Sequence, residues 1–234
     1  MVTRSAELEL LSRGAITVRG RLPRSSNAIF LVEVVRDGAR TLAVYKPRRG
    51  ERPLWDFPPG LYRREVAAWR LSRALGWDLV PPTVEREGPY GEGSLQRFVE
   101  ADFSQHYFTL REDPAHGERL RRICLFDLLA NNADRKAGHC LLGPDGRVWA
   151  IDNALTFHAE PKLRTVIWDF AGEPVPGRLR ADLERLLAQG VPDDVAALLT
   201  AEERRALLAR ARELAGLERF PADASGARYP WPLI

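Results

Sequence analysis

The chain has 234 residues, 45% of them apolar and 29% charged, enough to bury the core of one large domain or of two small lobes sharing a cleft. Its 35 basic and 32 acidic side chains are interspersed and leave a net charge of +3, which argues against a surface field directed at nucleic acid. No run approaches the roughly 20 apolar residues of a membrane-spanning helix, residues 1–14 lack the apolar stretch of a secretory signal, and Cys124 and Cys140 form neither a CxxC pair nor an extracellular framework, so a reduced, cytoplasmic setting is expected.

Residues 15–20, 29–35 and 41–46 are rich in Val, Ile, Phe and Thr and are separated by the turn formers Pro23 to Asn27 and by Asp37-Gly38, which predicts an antiparallel meander. A Pro-rich loop containing Trp55 runs to Gly60. Residues 61–75 then carry Ala67, Leu71, Ala74 and Leu75 at helical spacing, with Gly76 as the stop. Residues 79–84, interrupted by Pro81-Pro82, and 94–100 read as two further strands. The first hundred residues are therefore predicted to be a five-stranded sheet with one helix against it.

Beyond a connection near Glu100 to Asp102 the pattern becomes helical. Residues 118–131 place Leu120, Ile123, Cys124, Asp127 and Leu128 on one side, and a polar loop follows. Two short strands, 140–142 and 148–151, flank Pro144-Asp145-Gly146. Residues 178–189 and 201–214 are amphipathic, with Gly190 and Gly216 at their ends, and a disordered tail is expected at most over the last dozen residues. The predicted class is α+β and two-lobed: an N-terminal antiparallel sheet lobe (1–100) and a mostly helical C-terminal lobe (101–234), with a cleft at their junction.

The chemistry concentrates in Asn131-Asn132-Ala133-Asp134-Arg135-Lys136-Ala137-Gly138-His139 and, one hairpin later, Ile151-Asp152-Asn153. Phosphoryl transfer needs one carboxylate beside the acceptor hydroxyl and another holding the metal that bridges the phosphates. Asp134 and Asp152 fit those roles. His139 stands five positions after Asp134, where H-R-D-L-x-x-x-N places a metal-binding Asn, and Val44-Tyr45-Lys46 ends a strand as V-A-I-K does, with Glu65 early in the next helix as a partner. A turn role for Asp134, a solvated strand end for Lys46 and an orienting role for His139 are the plainer alternatives. Asp169-Phe170-Ala171-Gly172 echoes D-F-G but follows Asp134 too late, and it is read as structural.

Asp134-Arg135 and Ile151-Asp152-Asn153-Ala154-Leu155 resemble the D-R catalytic loop and the I-D-N-G-L metal motif of the phosphatidylinositol 3-/4-kinase-like superfamily. Glu65 to Leu71 and Leu79 to Thr83 are similar to segments of small bacterial members, an actinobacterial group among them, over about residues 15–175. The resemblance implies a kinase-like fold and an ATP-dependent phosphotransferase. It implies a phosphate loop at Ser25, Ser26 and Asn27, Lys46 supported by Glu65, an adenine-facing segment around Gln96 and Phe98, Asp134 and Arg135 as catalytic residues, and Asp152 with His139 holding Mg2+ or Mn2+. The implied partners are ATP and a hydroxyl acceptor, whether lipid, protein or small molecule, with the Trp55 to Pro59 loop as the candidate for peripheral membrane contact. His139 in place of Asn and the missing Gly-rich run keep open a nucleotide-binding pseudokinase module, and transfer of the nucleotidyl rather than the phosphoryl group, as by a nucleotidyl transferase, is a further reading.

Overall fold

The computed structural model describes residues 4–23 and 27–234; Ser25 and Ser26 lie outside the described residues. The chain runs α1 (Arg4–Arg13), β1 (Ala15–Arg21), β2 (Phe30–Arg36), β3 (Ala39–Pro47), α2 (Leu61–Ala74), β4 (Thr83–Gly88) and β5 (Gly91–Arg97). It continues as α3 (Tyr107–Leu110), α4 (Pro114–Ala130), β6 (Cys140–Leu142), β7 (Val148–Ala150), α5 (Gly177–Gln189), α6 (Asp193–Ala196) and α7 (Ala201–Ala215). The fold is α+β, a sheet lobe followed by a mostly helical one.

β1 to β5 form one antiparallel sheet in the order β1-β2-β3-β5-β4. The period of two in β2 and β3 sends Val32, Val34, Ala43 and Tyr45 to one face, where they pack with Leu95 and with Leu10 and Leu11 of α1. Lys46, next to Tyr45, therefore points from the other face. β5 closes tightly on the end of β3 at Gly93, where a Cβ would lie 2.4 Å from the Lys46 carbonyl oxygen.

Two strand boundaries differ from the sequence expectation. The fourth strand starts at Thr83 rather than 79, because Pro81 and Pro82 have no N–H to give a ladder, and the fifth spans Gly91–Arg97 rather than 94–100, because Pro89 and Tyr90 form the turn that pairs Gly88 with Gly91. α1 is an addition. Its Leu residues alternate with Glu and Arg, so its apolar stripe is too narrow to read as a helix without the sheet it covers.

In the helical lobe α4 begins with Pro114 at its first turn, behind the Asp113 carboxylate that accepts the Ala115 N–H at 2.9 Å. It ends on Asn131 in the left-handed region, φ 53°. α7 starts with a reciprocal cap in which the Glu203 carboxylate accepts the Thr200 N–H at 2.9 Å and the Thr200 hydroxyl accepts the Glu203 N–H at 3.2 Å. The main core gathers Leu120, Ile123 and Phe126 of α4 with Leu183 and Leu207 from α5 and α7. Ala67, Ala68, Trp69 and Leu71 of α2 belong to this core rather than to the one beneath the sheet.

Cys124 and Cys140 are free and buried, and burial pushes both thiols up, Cys140 to about 12. The final residues have no helix or strand but are docked, with Leu233 accepting the Ala137 N–H at 2.7 Å and Arg228 the Thr165 N–H at 3.0 Å. Among the described residues no helix is long and apolar enough to cross a membrane.

Candidate active site

Lys46 leaves the cleft face of β3 and reaches two carboxylates. Its Nζ hydrogen-bonds to Glu65 Oε1 and lies 2.9 Å from Asp152 Oδ1. Glu65, 1% exposed in the second turn of α2, uses its other oxygen to accept the Asn153 N–H at 3.0 Å. Burial alone would lower the Lys46 pKa, but Asp152 and Glu65 outweigh it and hold the ammonium well above the ordinary lysine value. The Lys46 charge in turn holds Asp152 below the usual carboxylate range, against the opposing effect of burial.

Asp152 has φ 56°, a left-handed conformation that Asp tolerates better than most side chains. Its neighbours keep it there. Arg135 spans the loop, donating to the Ile151 carbonyl, to Asn153 Oδ1 at 2.7 Å and to both oxygens of Asp127 at about 3 Å. Asp127 also accepts from Asn132 Nδ2 at 3.0 Å, and the Asn132 side chain accepts the Asp134 N–H at 3.0 Å.

Arg135 therefore corrects the sequence reading. It is 0% exposed, and its guanidinium is taken up by Asp127, Asn153 and the Ile151 carbonyl rather than facing the cavity. Replacing it by Met is expected to lower stability by about 3–5 kcal/mol, since Asp127 would keep a buried charge without its partner. Denaturant unfolding checks this, and a loss below about 1 kcal/mol would show that the pair is not structural.

Asp134 projects from the same loop and is half-buried. Burial pushes its pKa up to about 6; Asp152 adds to the rise, while Lys136, whose Nζ is 3.6 Å away, and Arg164 oppose it. Both Asp134 and Asp152 open into a cavity of about 330 Å³ walled by Asn27, Arg52, Trp55 and Leu155. Asn27 is held there by accepting the Arg52 N–H at 2.8 Å. The loop carrying Asp134 is flanked by residues 155–166, with Arg164 N–H donated to the Asn132 carbonyl and Arg135 N–H to the Arg164 carbonyl.

His139 sits beside Asp152, with Nε2 at 3.4 Å from Oδ2, while its Nδ1 faces the Lys136 N–H at 3.3 Å. With Nδ1 facing the Lys136 N–H, the neutral ring carries its proton on Nε2. Ligation of a metal through Nε2 would move that proton to Nδ1, where it would oppose the Lys136 N–H. Burial lowers the His139 pKa to about 4, with Asp152 opposing, so the ring stays neutral throughout the pH 5.5–8 range in which an unperturbed histidine titrates.

Gln96 is also corrected. Its side chain is buried and donates to Thr83 Oγ1 at 2.8 Å, inside the sheet rather than toward the cavity of Asp134 and Asp152. Phe98 is half-buried, with its N–H donated to the Leu42 carbonyl at 3.0 Å. Asp169 pairs with Tyr107 and Arg111, in keeping with a structural reading. Among the described residues no three His, Cys, Asp or Glu side chains converge as a cation cage. A hard cation bound through one carboxylate, phosphate oxygens and water fits the residues present. Arg52, Asp127 and Asn132 were missed in the sequence; the available signal was Asp127, a carboxylate inside the apolar stripe of α4.

A sheet lobe and a helical lobe meeting at a Lys–Glu–Asp trio opposite a second Asp define a kinase-like fold. In keeping with this, the chain is similar to the structure of hydra Fam20 with sugar, at 17% identity over 90% of this chain and 87% of that one, with a TM-score of 0.52. The Helicobacter pylori proinflammatory kinase CtkA aligns at 12% identity over 89% of this chain and 94% of that one, with a TM-score of 0.48. No family model matches the chain. The chain belongs to the same family as Protein Rv2133c of Mycobacterium tuberculosis, to which it is 38% identical over 270 residues, covering 99% of this chain and 97% of that protein.

Proposed function

We propose that the protein is an ATP-dependent phosphotransferase of the phosphatidylinositol 3-/4-kinase-like type that phosphorylates a hydroxyl acceptor. The observation that carries this reading is Lys46 held between Glu65 and Asp152, with Asp152 and Asp134 opening into the same cavity. In this reading residues 1–100 bind the nucleotide phosphates and 101–234 carry the catalytic and metal-holding loops. Lys46 offers a permanent positive charge to phosphate oxygens, and Glu65 keeps its Nζ in place when Asp152 turns to a cation. Asp134, ionised above about pH 6, accepts the proton of the acceptor hydroxyl. Asp152 would hold Mg2+ or Mn2+, which supplies charge neutralisation on the phosphates. In this reading His139 packs beside Asp152, Nε2 at 3.4 Å from Oδ2, and is not itself a ligand.

The test is incubation with ATP labelled at the γ or α position in the presence of cell extract and either metal. Label transferred only from the γ position supports the reading. Transfer only from the α position would make the protein a nucleotidyl transferase, and nucleotide binding without metal-dependent turnover would make it a regulatory module. For His139→Asn the expected result is an unchanged order of preference between magnesium and manganese, because both proteins hold the cation through Asp152 and phosphate oxygens. A shift from manganese in the wild type to magnesium in the variant would restore His139 as a ligand.

A further inference from the structure

The helix that carries Glu65 is anchored on the side opposite to the sheet. Arg64, the residue before Glu65, is 4% exposed; its guanidinium pairs with the Glu203 carboxylate of α7 and donates to the Thr156 carbonyl, four residues past Asp152. Thr156 is tied to the Asp152 loop through its hydroxyl, which donates to the Asn153 carbonyl at 2.8 Å. Further along, Arg70 donates to the Asp194 carbonyl of α6 at 2.6 Å, Arg185 of α5 to the Leu75 carbonyl at 3.2 Å, and the Trp77 indole to Asp182 of α5 at 2.8 Å. Ala67, Ala68, Trp69 and Leu71 of α2 lie in the helical-lobe core and Leu61 packs with Phe57, Ala133 and Ala154, while the helix also runs alongside β4 and β5. Toward the sheet, the polar ties of α2 other than Lys46–Glu65 come from its first turn, the buried Tyr62 to the partly exposed Glu85 and Glu92 at 3.1 and 3.2 Å and the exposed Arg63 to Glu85 at 3.3 Å.

We propose that α2 moves with the helical lobe, and that Arg64 is the positioning residue that keeps Glu65 and the Asp152 loop in one frame. The inference rests on the phosphotransfer reading of Lys46, Glu65 and Asp152. In kinases generally, assembly of the Lys–Glu pair is the step that activating contacts control by moving this helix. Here both carboxylate partners of Lys46 sit on one body, so the pair forms whenever the sheet closes, with no activating partner or modification needed to swing α2.

The test combines amide hydrogen exchange with ATP turnover on the full chain, for wild type, Arg64→Met, Arg64→Lys and Glu203→Gln. In the wild type, residues 66–74 should exchange as slowly as α7, with no change when ATP and magnesium are added. Arg64→Met should speed exchange in α2 and in residues 153–157 by at least about tenfold while β2 and β3 keep their rates, because a buried charge loses its partner there. In the same variant kcat should fall by about tenfold or more with the KM for ATP little changed, and Arg64→Lys should recover part of both effects. If Arg64→Met does not fold, Glu203→Gln, which conserves volume, carries the comparison. Exchange of α2 in step with β2 and β3, or added protection of α2 on ATP binding, would overturn the inference. Absence of ATP turnover in the wild type would instead sink the phosphotransfer reading, and the exchange rates would still decide to which lobe α2 belongs.

Discussion

Asp152→Asn is expected to lower metal-dependent ATP turnover by about 10²- to 10³-fold, the loss typical when one fixed electrostatic group is removed from an active site. Asparagine is the informative replacement because it keeps the left-handed backbone at φ 56°, which alanine adopts with strain, while discarding the charge that Lys46 stabilises. Lys46 retains Glu65 as a partner, so the fold should survive. The measurement is turnover of purified wild type and variant across magnesium and manganese titrations. Wild-type rates in a folded variant would remove Asp152 from the site.

The second large effect is expected at Asp134. Asp134→Asn should reduce turnover by about 10²- to 10⁴-fold, the usual range for a positioned general base. Its elevated pKa gives a sharper test than the loss itself. The carboxylate is competent as a base only when ionised, so activity should hold above about pH 6 and fall as the pH drops through that value. Lys136 is among the groups that lower this pKa; Lys136→Gln should therefore move the acidic limb to higher pH. His139, pushed down to about 4, should leave no mark between pH 5 and 8. Rate profiles for the two proteins decide the matter: an acidic limb that does not move in Lys136→Gln would show that Asp134 is not the titrating group.

What was legible in the sequence follows from how local the signals are. The Asp37-Gly38 hairpin, the Lys46 strand end and the order Asp134, hairpin, Asp152 are short-range features; in the structure Lys46 bonds to Glu65 and Asp152, and Asp152 shares a cavity with Asp134. The role of Arg135 was not legible. Adjacent to Asp134 in the chain, it reads as a second cation for phosphate, and only its pairing with the buried Asp127 at the end of α4 turns it inward. Gln96 fails for a similar reason: its amide is taken by Thr83 across a strand pair whose register depends on the turn at Pro89 and Tyr90. α1 becomes a helix through the sheet it covers, a tertiary effect that no window of ten residues contains.

The two buried cysteines have a practical use. Both thiols are shielded and their ionisation is suppressed, so a thiol-directed reagent meets no nucleophile in the native chain. The protein is thus a silent background for site-directed labelling. Spectroscopic probes placed through introduced cysteines on β2, α2 and α7 can report the relative motion of the three elements without first removing a native residue, and slow modification of Cys124 and Cys140 counts the molecules that have opened.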